Sequence, residues 1–259
     1  MSAKRFSREA KRVGQSQAAA GEMVRRALLV CALCLPSLVR AQQRPPVAEA
    51  IANAYGLEAW GQVEAVRYTF TLDGGPKLKF HRSWVWEPKT NTITYEGPDA
   101  QGKPVKVTYA RADLPSQSAF VKQTVDPSFF NDQYWLVLPF HLVWDTGATV
   151  EDAGMQKLPS GKGKARKVIM KYQSDGGYTP GDTWNIFVGK DLRIQELEFR
   201  HGGNAKPGLV KADWKAYKKA GPLLVSTDHH GTADGGKFRL FFTDVAVKLT
   251  GSSTWTEAK

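Results

Sequence analysis

Residues 129–144, with the sequence FFNDQYWLVLPFHLVW, form the densest run of large apolar side chains outside the N-terminus. This run is too short and too polar to cross a bilayer, which needs about 20 consecutive apolar residues. From Phe130 the apolar side chains follow the i, i+4, i+7, i+8 spacing of one helix face, and Trp135 and Leu136 extend the apolar surface nearly all round. The sequence therefore predicts a buried helix that is covered on more than one side.

Prolines suggest where this central helix begins and ends. Asp126 and Pro127 are a suitable N-cap and first helical residue, and Pro139 interrupts the helical pattern. We therefore expect about three turns between them, with Pro139 ending the helix.

The N-terminus has the pattern of a secretory signal peptide. Met23 opens the basic sequence MVRR, residues 27–35 are an apolar core, and the V-R-A sequence that ends at Ala41 resembles an A-x-A cleavage site. We expect residues 1–41 to be removed by cleavage near Ala41, which leaves residues 42–259 as a single domain. Because the first 22 residues show no structural pattern, Met23 is the expected true start.

Removal of this segment changes what the charge and the cysteines imply. The net charge of the whole sequence is +11, but residues 1–41 hold 8 of its 36 basic and 2 of its 25 acidic residues, which leaves 28 against 23, or +5. This small surplus is typical of a soluble protein and argues against nucleic acid as a partner. Cys31 and Cys34 both lie in the removed segment, so we expect neither a disulfide nor a lipid anchor.

The mature chain begins with a helical pattern and then changes to strands. Pro46 opens a helix that Gly56 ends, and residues 57–63 add a further turn. Four strands are then predicted from the alternation of apolar and polar side chains, at 64–72, 77–87, 90–95 and 105–110. Their connections are too short for parallel crossovers, so we expect an antiparallel meander. Arg82 is an unexplained cation on the apolar face of the second strand.

Six further strands are predicted after the central helix, at 167–172, 183–188, 192–199, 209–217, 222–228 and 238–249. A change of parity between Ile194 and Leu197 indicates a bulge. About ten or eleven antiparallel strands are typical of a large sandwich or an incomplete barrel. The predicted fold is mainly β (α+β): a large curved antiparallel sheet forms a half-closed barrel capped by helices, and the central helix covers its concave face.

The mature chain resembles a known superfamily, and the motifs that carry the resemblance lie in the segment that ends at Asp145. The motifs AYGLEAWG, VRYTFTL, RSWVWEPKTNTITY and FFNDQYWLVLPFHLVWD, together with the signal peptide, are similar to those of uncharacterised exported members of the LolA/LolB-like outer-membrane lipoprotein-sorting superfamily. The resemblance covers most of residues 47–249. It implies an open half-barrel capped by helices, with an apolar cavity that accepts acyl chains. It transfers no functional residue, because no functional arginine, protruding loop or lipidated cysteine of the superfamily matches a position here.

Aromatic side chains on these patterns supply the candidate walls of a cavity. For any one of them, core packing is the simpler explanation. Together they would bind an acyl chain at about 0.8 kcal/mol per buried methylene if the concave face is partly unfilled. The residues predicted to line the cavity are Tyr68, Phe70, Phe80, Trp84, Trp86, Tyr95, Phe130, Tyr134, Trp135, Leu138, Trp184, Phe199 and Trp214.

Motifs for catalysis and metal binding are missing from the sequence, which contains no G-x-S-x-G, H-E-x-x-H, P-loop or G-x-G-x-x-G. Asp228, His229 and His230 could supply metal ligands together with His201. Neighbouring residues on a strand point to opposite faces, however, so we predict no metal site. His141 is interpreted as a hydrogen-bonded core histidine, since no nucleophile is identifiable beside it.

The basic residues 157–167 are interpreted as a solvated hairpin, with a patch for anionic headgroups as the alternative. Taken together, the sequence predicts a monomeric periplasmic carrier or sensor without enzymatic activity or cofactor. Its expected partners are a lipid or lipoprotein acyl chain and an envelope protein.

Two other functions stay open at this point. The first is a carbohydrate-binding or carbohydrate-active protein, whose acid-base pair would come from Glu87, Glu96, Glu196 and Glu198. The second is a non-catalytic β-domain with a filled core that acts through its surface. Because the aromatic residues alternate with outward polar ones and no paired acids interrupt them, lipid binding is favoured over sugar binding.

Overall fold

The computed structural model describes residues 44–76, 78–174, 178, 180–202 and 208–259, and the predicted signal peptide lies outside these ranges. Two α-helices lie within them, α1 (Pro46–Ala54) and α2 (Asp126–Trp144). None of the described helices is long and apolar enough to span a membrane. The strands are β1 (Val63–Asp73), β2 (Lys79–Glu87), β3 (Thr92–Pro98), β4 (Pro104–Ala110), β5 (Ala148–Lys157), β6 (Lys164–Tyr172), β7 (Thr183–Val188), β8 (Ile194–Arg200), β9 (Leu209–Asp213), β10 (Lys215–Ala220), β11 (Leu223–Ala233), β12 (Gly236–Leu249) and β13 (Trp255–Glu257).

All these strands belong to one antiparallel sheet. Its order is β4-β3-β2-β1-β12-β11-β9-β8-β7-β6-β5, while β10 pairs with β11 and β13 pairs with β12. The first four strands form the predicted meander, because each pairs with the next along the chain. The sheet is not closed: β4 and β5 are its two end strands, and they do not pair with each other. The predicted class, a large antiparallel sheet capped by helices, is confirmed.

Helix α2 connects the two ends of this open sheet. The chain leaves β4 through a 3-10 turn (Arg111–Ser116) and a π turn (Val121–Val125), runs through α2 and enters β5 at the opposite edge. A helix of 19 residues spans about 28 Å at 1.5 Å per residue, which is long enough to cross several strands. Thirteen of its residues are buried, as expected for a helix that is apolar nearly all round.

The core fills the face of the sheet that packs against the helices, which we call the inner face. Strand alternation places Tyr68 and Phe70 of β1 on this face beside Trp84 of β2, and all three are about 1% exposed. Trp84 packs edge-on against Phe129 of α2, with ring centroids 5.5 Å apart. The predicted alternation of an apolar and a polar face in these strands is therefore confirmed.

The prediction that Pro139 ends the central helix is wrong. Proline removes one backbone hydrogen bond, and Val137 accordingly has non-helical angles, φ −119° and ψ 22°. The chain then resumes the helix and continues to Trp144, so α2 is kinked but not ended. Burial of Phe140 and Leu142 on the continuing turn stabilises this second segment.

Several strand predictions need correction. The segment predicted as one strand at 209–217 is two strands, β9 and β10, which are divided at Trp214. After Trp214 the chain pairs with β11 as β10. Strands β5 and β13 were not predicted, because neither has a clear alternation of apolar and polar residues. The bulge is confirmed: Phe187 pairs with Glu196 but Val188 pairs with Ile194, so the register shifts by one residue.

The end of α1 depends on a glycine, as predicted. Gly56 has φ +100°, in the left-handed region that glycine adopts without strain. A Cβ atom at this position would lie 2.5 Å from the carbonyl oxygen of Pro222, so the close approach of the two backbones also requires glycine. The 3-10 turn Leu57–Gln62 follows and confirms the expected further turn before β1.

Candidate functional site

The layer between α2 and the inner face contains every residue predicted to line a cavity. Nine of the thirteen are buried and four are partly buried, and all belong to one hydrophobic cluster. The nine are Tyr68, Phe70, Trp84, Tyr95, Tyr134, Trp135, Leu138, Trp184 and Trp214, and the four are Phe80, Trp86, Phe130 and Phe199. The fold therefore brings together side chains from the helix and from strands at both ends of the sheet.

Trp135 lies at the centre of one half of this layer. Its ring stacks on Trp214 at 5.5 Å and contacts Trp184 at 6.1 Å, His229 at 5.7 Å and Phe238 at 6.2 Å. Contacts of this kind add about 0.5–1.5 kcal/mol per pair beyond burial of area. In the structure, the surroundings of Trp135 are packed aromatic rings.

A second aromatic group surrounds Trp60, which the sequence did not single out for the site. Its ring lies 5.4 Å from Trp86, 5.2 Å from Phe140 and 4.9 Å from Trp144. Trp60 belongs to the 3-10 turn after α1, so the N-terminal segment covers the second half of α2. Only the position of this turn beside the kinked helix shows that Trp60 belongs to the layer.

Three carboxylates fasten α2, of which Asp126 and Asp132 are buried and Asp145 is partly buried. The contacts of Asp132 explain Arg82. Arg82 donates from Nε to Oδ2 of Asp132 (2.9 Å) and from Nη2 to Oδ1 (2.7 Å), and its Nη1 donates to Ser128 (2.8 Å). Trp84 donates its indole N–H to the same carboxylate at 2.9 Å. Asp132 is 0% exposed, and this burial raises its pKa to about 6 although Arg82 acts in the opposite direction. We call this group the Asp132 clasp.

The second carboxylate, Asp126, holds the start of α2 to the β4 edge. It accepts hydrogen bonds from Tyr109 (2.7 Å), Arg111 (3.0 Å) and Tyr178 (2.6 Å). The expectation that Asp126 caps the helix is wrong, because a π turn precedes it and its carboxylate points to these side chains. Partial loss of hydration and the hydrogen bond to Asp126 raise the pKa of Tyr178 to about 12, although this residue is 40% exposed, so the phenol stays a donor.

The third carboxylate, Asp145, follows the end of α2. Its Oδ2 accepts from Tyr134 at 2.5 Å, from Tyr172 of β6, and from His141 Nδ1 at 2.9 Å. Burial acts to raise the pKa of Asp145, but the bonds from His141 and the two tyrosines outweigh it and lower the pKa. The other His141 nitrogen lies 3.1 Å from Gln133. His141 is thus the hydrogen-bonded core histidine that the sequence predicts.

Some polar atoms in the layer have no protein partner among the described residues. They are the hydroxyl of Tyr68, the indole nitrogens of Trp86 and Trp184, and Nε2 of His229, all buried. Nδ1 of His229 lies 3.2 Å from the backbone carbonyl oxygen of Asp213 and donates to it. In a neutral imidazole the other ring nitrogen, Nε2, is then an acceptor. Burial lowers the pKa of His229 to about 4, so its ring is neutral near pH 7.

The other polar residues considered from the sequence do not converge. Within the described part of the chain, no group of three or more His, Cys, Asp or Glu side chains could hold a metal ion. His229 is buried on the inner face while the His230 side chain is exposed on the outer face, as strand alternation predicts.

The four glutamates considered for acid-base chemistry lie in two separate places. Glu96 on β3 pairs with Lys106 at 2.6 Å, and Glu87 lies at the end of β2. Glu196 and Glu198 lie on β8, with β1, β12, β11 and β9 between this strand and β2. Of these two β8 residues, Glu196 accepts a hydrogen bond from Ser160, and Glu198 forms an ion pair with Lys211 at 3.3 Å. The sheet therefore separates the first two glutamates from the last two.

Comparison with known proteins gives structural matches only. No family model matches the sequence, and no curated protein matches it. Similar solved structures include a putative outer membrane lipoprotein-sorting protein domain from Vibrio parahaemolyticus, with a TM-score of 0.47, 10% identity, and coverage of 83% of this chain and 95% of that chain. Another is a DUF1329 family protein from Desulfovibrio piger (0.46, 9% identity, 80% and 92% covered). A third is a LolA superfamily protein from Nitrosomonas europaea (0.38, 10% identity, 76% and 92% covered).

Proposed function

We propose that this chain is an exported carrier or sensor that binds the acyl chain of a lipid or lipoprotein between α2 and the inner face of the sheet. The observation that carries the proposal is the construction of this layer. An open sheet presents a continuous aromatic and aliphatic face, and one kinked helix that joins its two edges covers that face.

The contacts that hold α2 are compatible with replacement of its apolar contacts by those of an acyl chain. Side chains of α2 cover the inner face with apolar contacts, and an acyl chain would offer contacts of the same kind. Polar bonds from Arg82, Tyr109 and Tyr172 of the sheet to Asp132, Asp126 and Asp145 help to set the position of the helix. The net stabilisation from buried ion pairs is small, because loss of hydration offsets much of their attraction. A hydrophobic ligand could therefore displace α2 at a moderate free-energy cost.

The energy available from an acyl chain is sufficient for this exchange. About 14 buried methylenes at roughly 0.8 kcal/mol each contribute on the order of 11 kcal/mol before the entropy cost of association. The Tyr68 hydroxyl and the Trp184 indole N–H, which have no hydrogen-bond partner among the described residues, are donors in the layer. The ester or carboxyl oxygens of a lipid are suitable acceptors. These atoms support a ligand with a polar group at one end.

The proposal includes export to the periplasm, which rests on the signal-peptide pattern of residues 1–41. It also includes a monomeric state and an envelope protein that supplies or receives the ligand. We propose no enzymatic activity, since the acidic and histidine side chains that could supply it are engaged in separate contacts across the described part of the chain.

Native mass spectrometry of the processed protein, purified from a lysate that contains membranes and followed by lipid extraction, tests the proposal. We expect a bound mass that extraction identifies as a lipid, and saturable uptake of a fluorescent fatty acid by the delipidated protein. A clean apo mass together with failure to take up the fatty acid would refute acyl-chain binding.

A matched pair of variants locates the binding site. Trp135→Leu removes aromatic volume from the layer under α2, whereas Phe187→Leu removes it from a buried position on the outer face of β7. We expect Trp135→Leu to change the affinity for the fatty acid and its preference for chain length, and Phe187→Leu to leave both unchanged. Equal effects of the two variants would place the ligand elsewhere.

One observation favours a second candidate function, a β-domain with a filled core that acts only through its surface. Trp135 is already in contact with four rings, which is the dense packing of an ordinary core. If this candidate is correct, neither variant binds a fatty acid, and both lose stability by similar amounts.

A further inference from the structure

The β5–β6 hairpin concentrates positive charge. Between Asp152 and Asp175 the sequence has no acidic residue but contains six basic ones, so this segment carries more charge than the net +5 of the predicted mature chain. The six are Lys157, Lys162, Lys164, Arg166, Lys167 and Lys171. Such a local surplus differs from the even mixture of signs that keeps an ordinary surface soluble.

The end of this hairpin is held in a defined position on the sheet. The turn between β5 and β6 reaches β8, where Ser160 donates to Glu196 from its backbone N–H (2.8 Å) and its hydroxyl (2.6 Å). A groove of about 640 Å³ lies between this turn and strands β8, β9 and β11, and Lys162 and Lys237 line it. A second groove of about 480 Å³ lies beside Lys157 and Lys164.

The acidic side chains near these grooves are already engaged. Asp152 pairs with Arg166 at 2.6 Å, Glu198 with Lys211 at 3.3 Å and Asp213 with Lys215 at 2.6 Å. In contrast, the ion pairs among the described residues do not include Lys157, Lys162, Lys164, Lys167 or Lys237. The positive charge of these five lysines is therefore left to attract an anionic partner.

An exposed apolar side chain lies among these lysines. Met155 is 62% exposed, the highest value among the exposed large hydrophobic residues of the described chain, and it lines the same groove as Lys157, Lys164 and Lys167. A flexible apolar side chain surrounded by lysines matches a bilayer surface, where the lysines meet phosphate groups and the thioether enters the acyl boundary. A soluble anion would give Met155 no apolar contact.

We propose that Met155, Lys157, Lys162, Lys164 and Lys167 form a docking surface for the anionic headgroups of a lipid bilayer. We call these five residues the hairpin patch. Each lysine near an anionic membrane contributes on the order of 1 kcal/mol, so four give reversible attachment that salt weakens. Docking of this kind would serve to deliver or capture a lipid at the membrane, and this use rests on the proposed function. The charge and exposure of the patch do not rest on it.

Flotation of the processed protein with vesicles tests the proposal. We expect binding to vesicles that contain phosphatidylglycerol, little binding to pure phosphatidylcholine, and loss of binding as salt is raised. The triple variant Lys162→Glu, Lys164→Glu, Lys167→Glu should lower binding at least about tenfold. Met155→Ser should weaken binding several-fold without changing its dependence on salt.

A control variant makes the same change in net charge at the other end of the sheet. Lys89→Glu, Lys103→Glu, Lys122→Glu alters exposed lysines near β2, β3 and β4 and should retain binding to anionic vesicles. Equal loss in the two triple variants, or equal binding to both vesicle types, would overturn the proposal. Competition by inorganic phosphate that removes all binding while Met155→Ser has no effect would also overturn it, in favour of a soluble anion.

Fatty-acid uptake in solution is measured on the same variants. If the hairpin patch is wrong but the proposed function holds, uptake is normal and binding to anionic vesicles is absent. If the proposed function fails and the patch is correct, the vesicle results stand without uptake. Melting curves of both triple variants verify that they are folded.

Discussion

Substitution of Arg82 by leucine gives the sharpest test of how α2 is fastened. The change removes the only cation of the Asp132 clasp and leaves the carboxylate buried between β2 and the helix, with the Trp84 and Asn131 side chains as its remaining donors. Removal of one partner of a buried ion pair costs about 3–5 kcal/mol, because the remaining charge keeps its desolvation cost. We expect a loss of unfolding free energy of this size at pH 8.

The pKa of Asp132 makes this loss depend on pH. Burial already raises the pKa to about 6, and removal of Arg82 raises it further, since Arg82 is the group that lowers it most. Below that pKa the carboxyl is protonated and needs no cation, and each pKa unit corresponds to about 1.4 kcal/mol. The destabilisation by Arg82→Leu should therefore be smaller at pH 5 than at pH 8 by about 1–3 kcal/mol.

Urea unfolding followed by tryptophan fluorescence measures both quantities. Arg166→Leu is the matched control, because Arg166 makes a similar two-bond contact with Asp152 on the surface, where an ion pair contributes little. The double variant Arg82→Leu, Asp132→Leu should regain much of the loss, since no buried charge remains. A loss equal to that of Arg166→Leu, or one independent of pH, would refute the assignment of Asp132 as a buried charge that Arg82 compensates.

Two further predictions concern backbone strain and the buried histidine. Gly56→Ala should lower the melting temperature, because the left-handed φ costs about 1–3 kcal/mol of unfolding free energy and the contact with Pro222 adds to this loss. In the control Gly61→Ala the new Cβ atom has nothing within 4 Å, so the melting temperature should hardly change. Equal melting temperatures of the two variants would contradict this prediction. His229 has a lowered pKa, so its native state binds fewer protons than the unfolded state, and its contribution to stability is present above about pH 6.5 and lost as pH falls towards about 4. Asp132 has a raised pKa and the opposite dependence, losing its contribution as pH rises from about 4 to 6. For His229→Phe, the free energy of unfolding measured by denaturation should fall as pH rises from about 4 to 6, because the opposing contribution of His229 is removed. The same pH profile in the variant and in the unmodified protein would show that His229 is not buried in its neutral form.

Much of the local structure could be predicted because its signals are local. Alternation of apolar and polar residues placed the first four strands, a proline and a glycine bounded α1, and a change of parity located the bulge at β8. In the end strand β5 the alternation covers only Ala148 to Glu151 and is lost at Asp152, so the pairing with β6 is what identifies it as a strand.

The composition of the candidate site was also predictable in part. The sequence identified the aromatic residues of the inner face, because large apolar side chains recur there with a period of two. It did not identify Trp60, which joins the layer through a turn, or His229, which strand parity alone could have placed on the inner face. Arg82 was identified as anomalous, but its partner was not.

The sequence by itself determined most of the strands, the apolar face of each of these, and that one long apolar segment must be buried. It did not determine β5, β13 or the division between β9 and β10. Only the tertiary structure decided that α2 continues through Pro139, that it joins the two edges of an open sheet, and that Asp132 meets Arg82. The reason is distance along the chain. Arg82 and Asp132 are 50 positions apart, and Tyr172 and Asp145 are 27 apart. Contacts of this range follow from packing of the whole sheet and leave no periodic signal in the sequence.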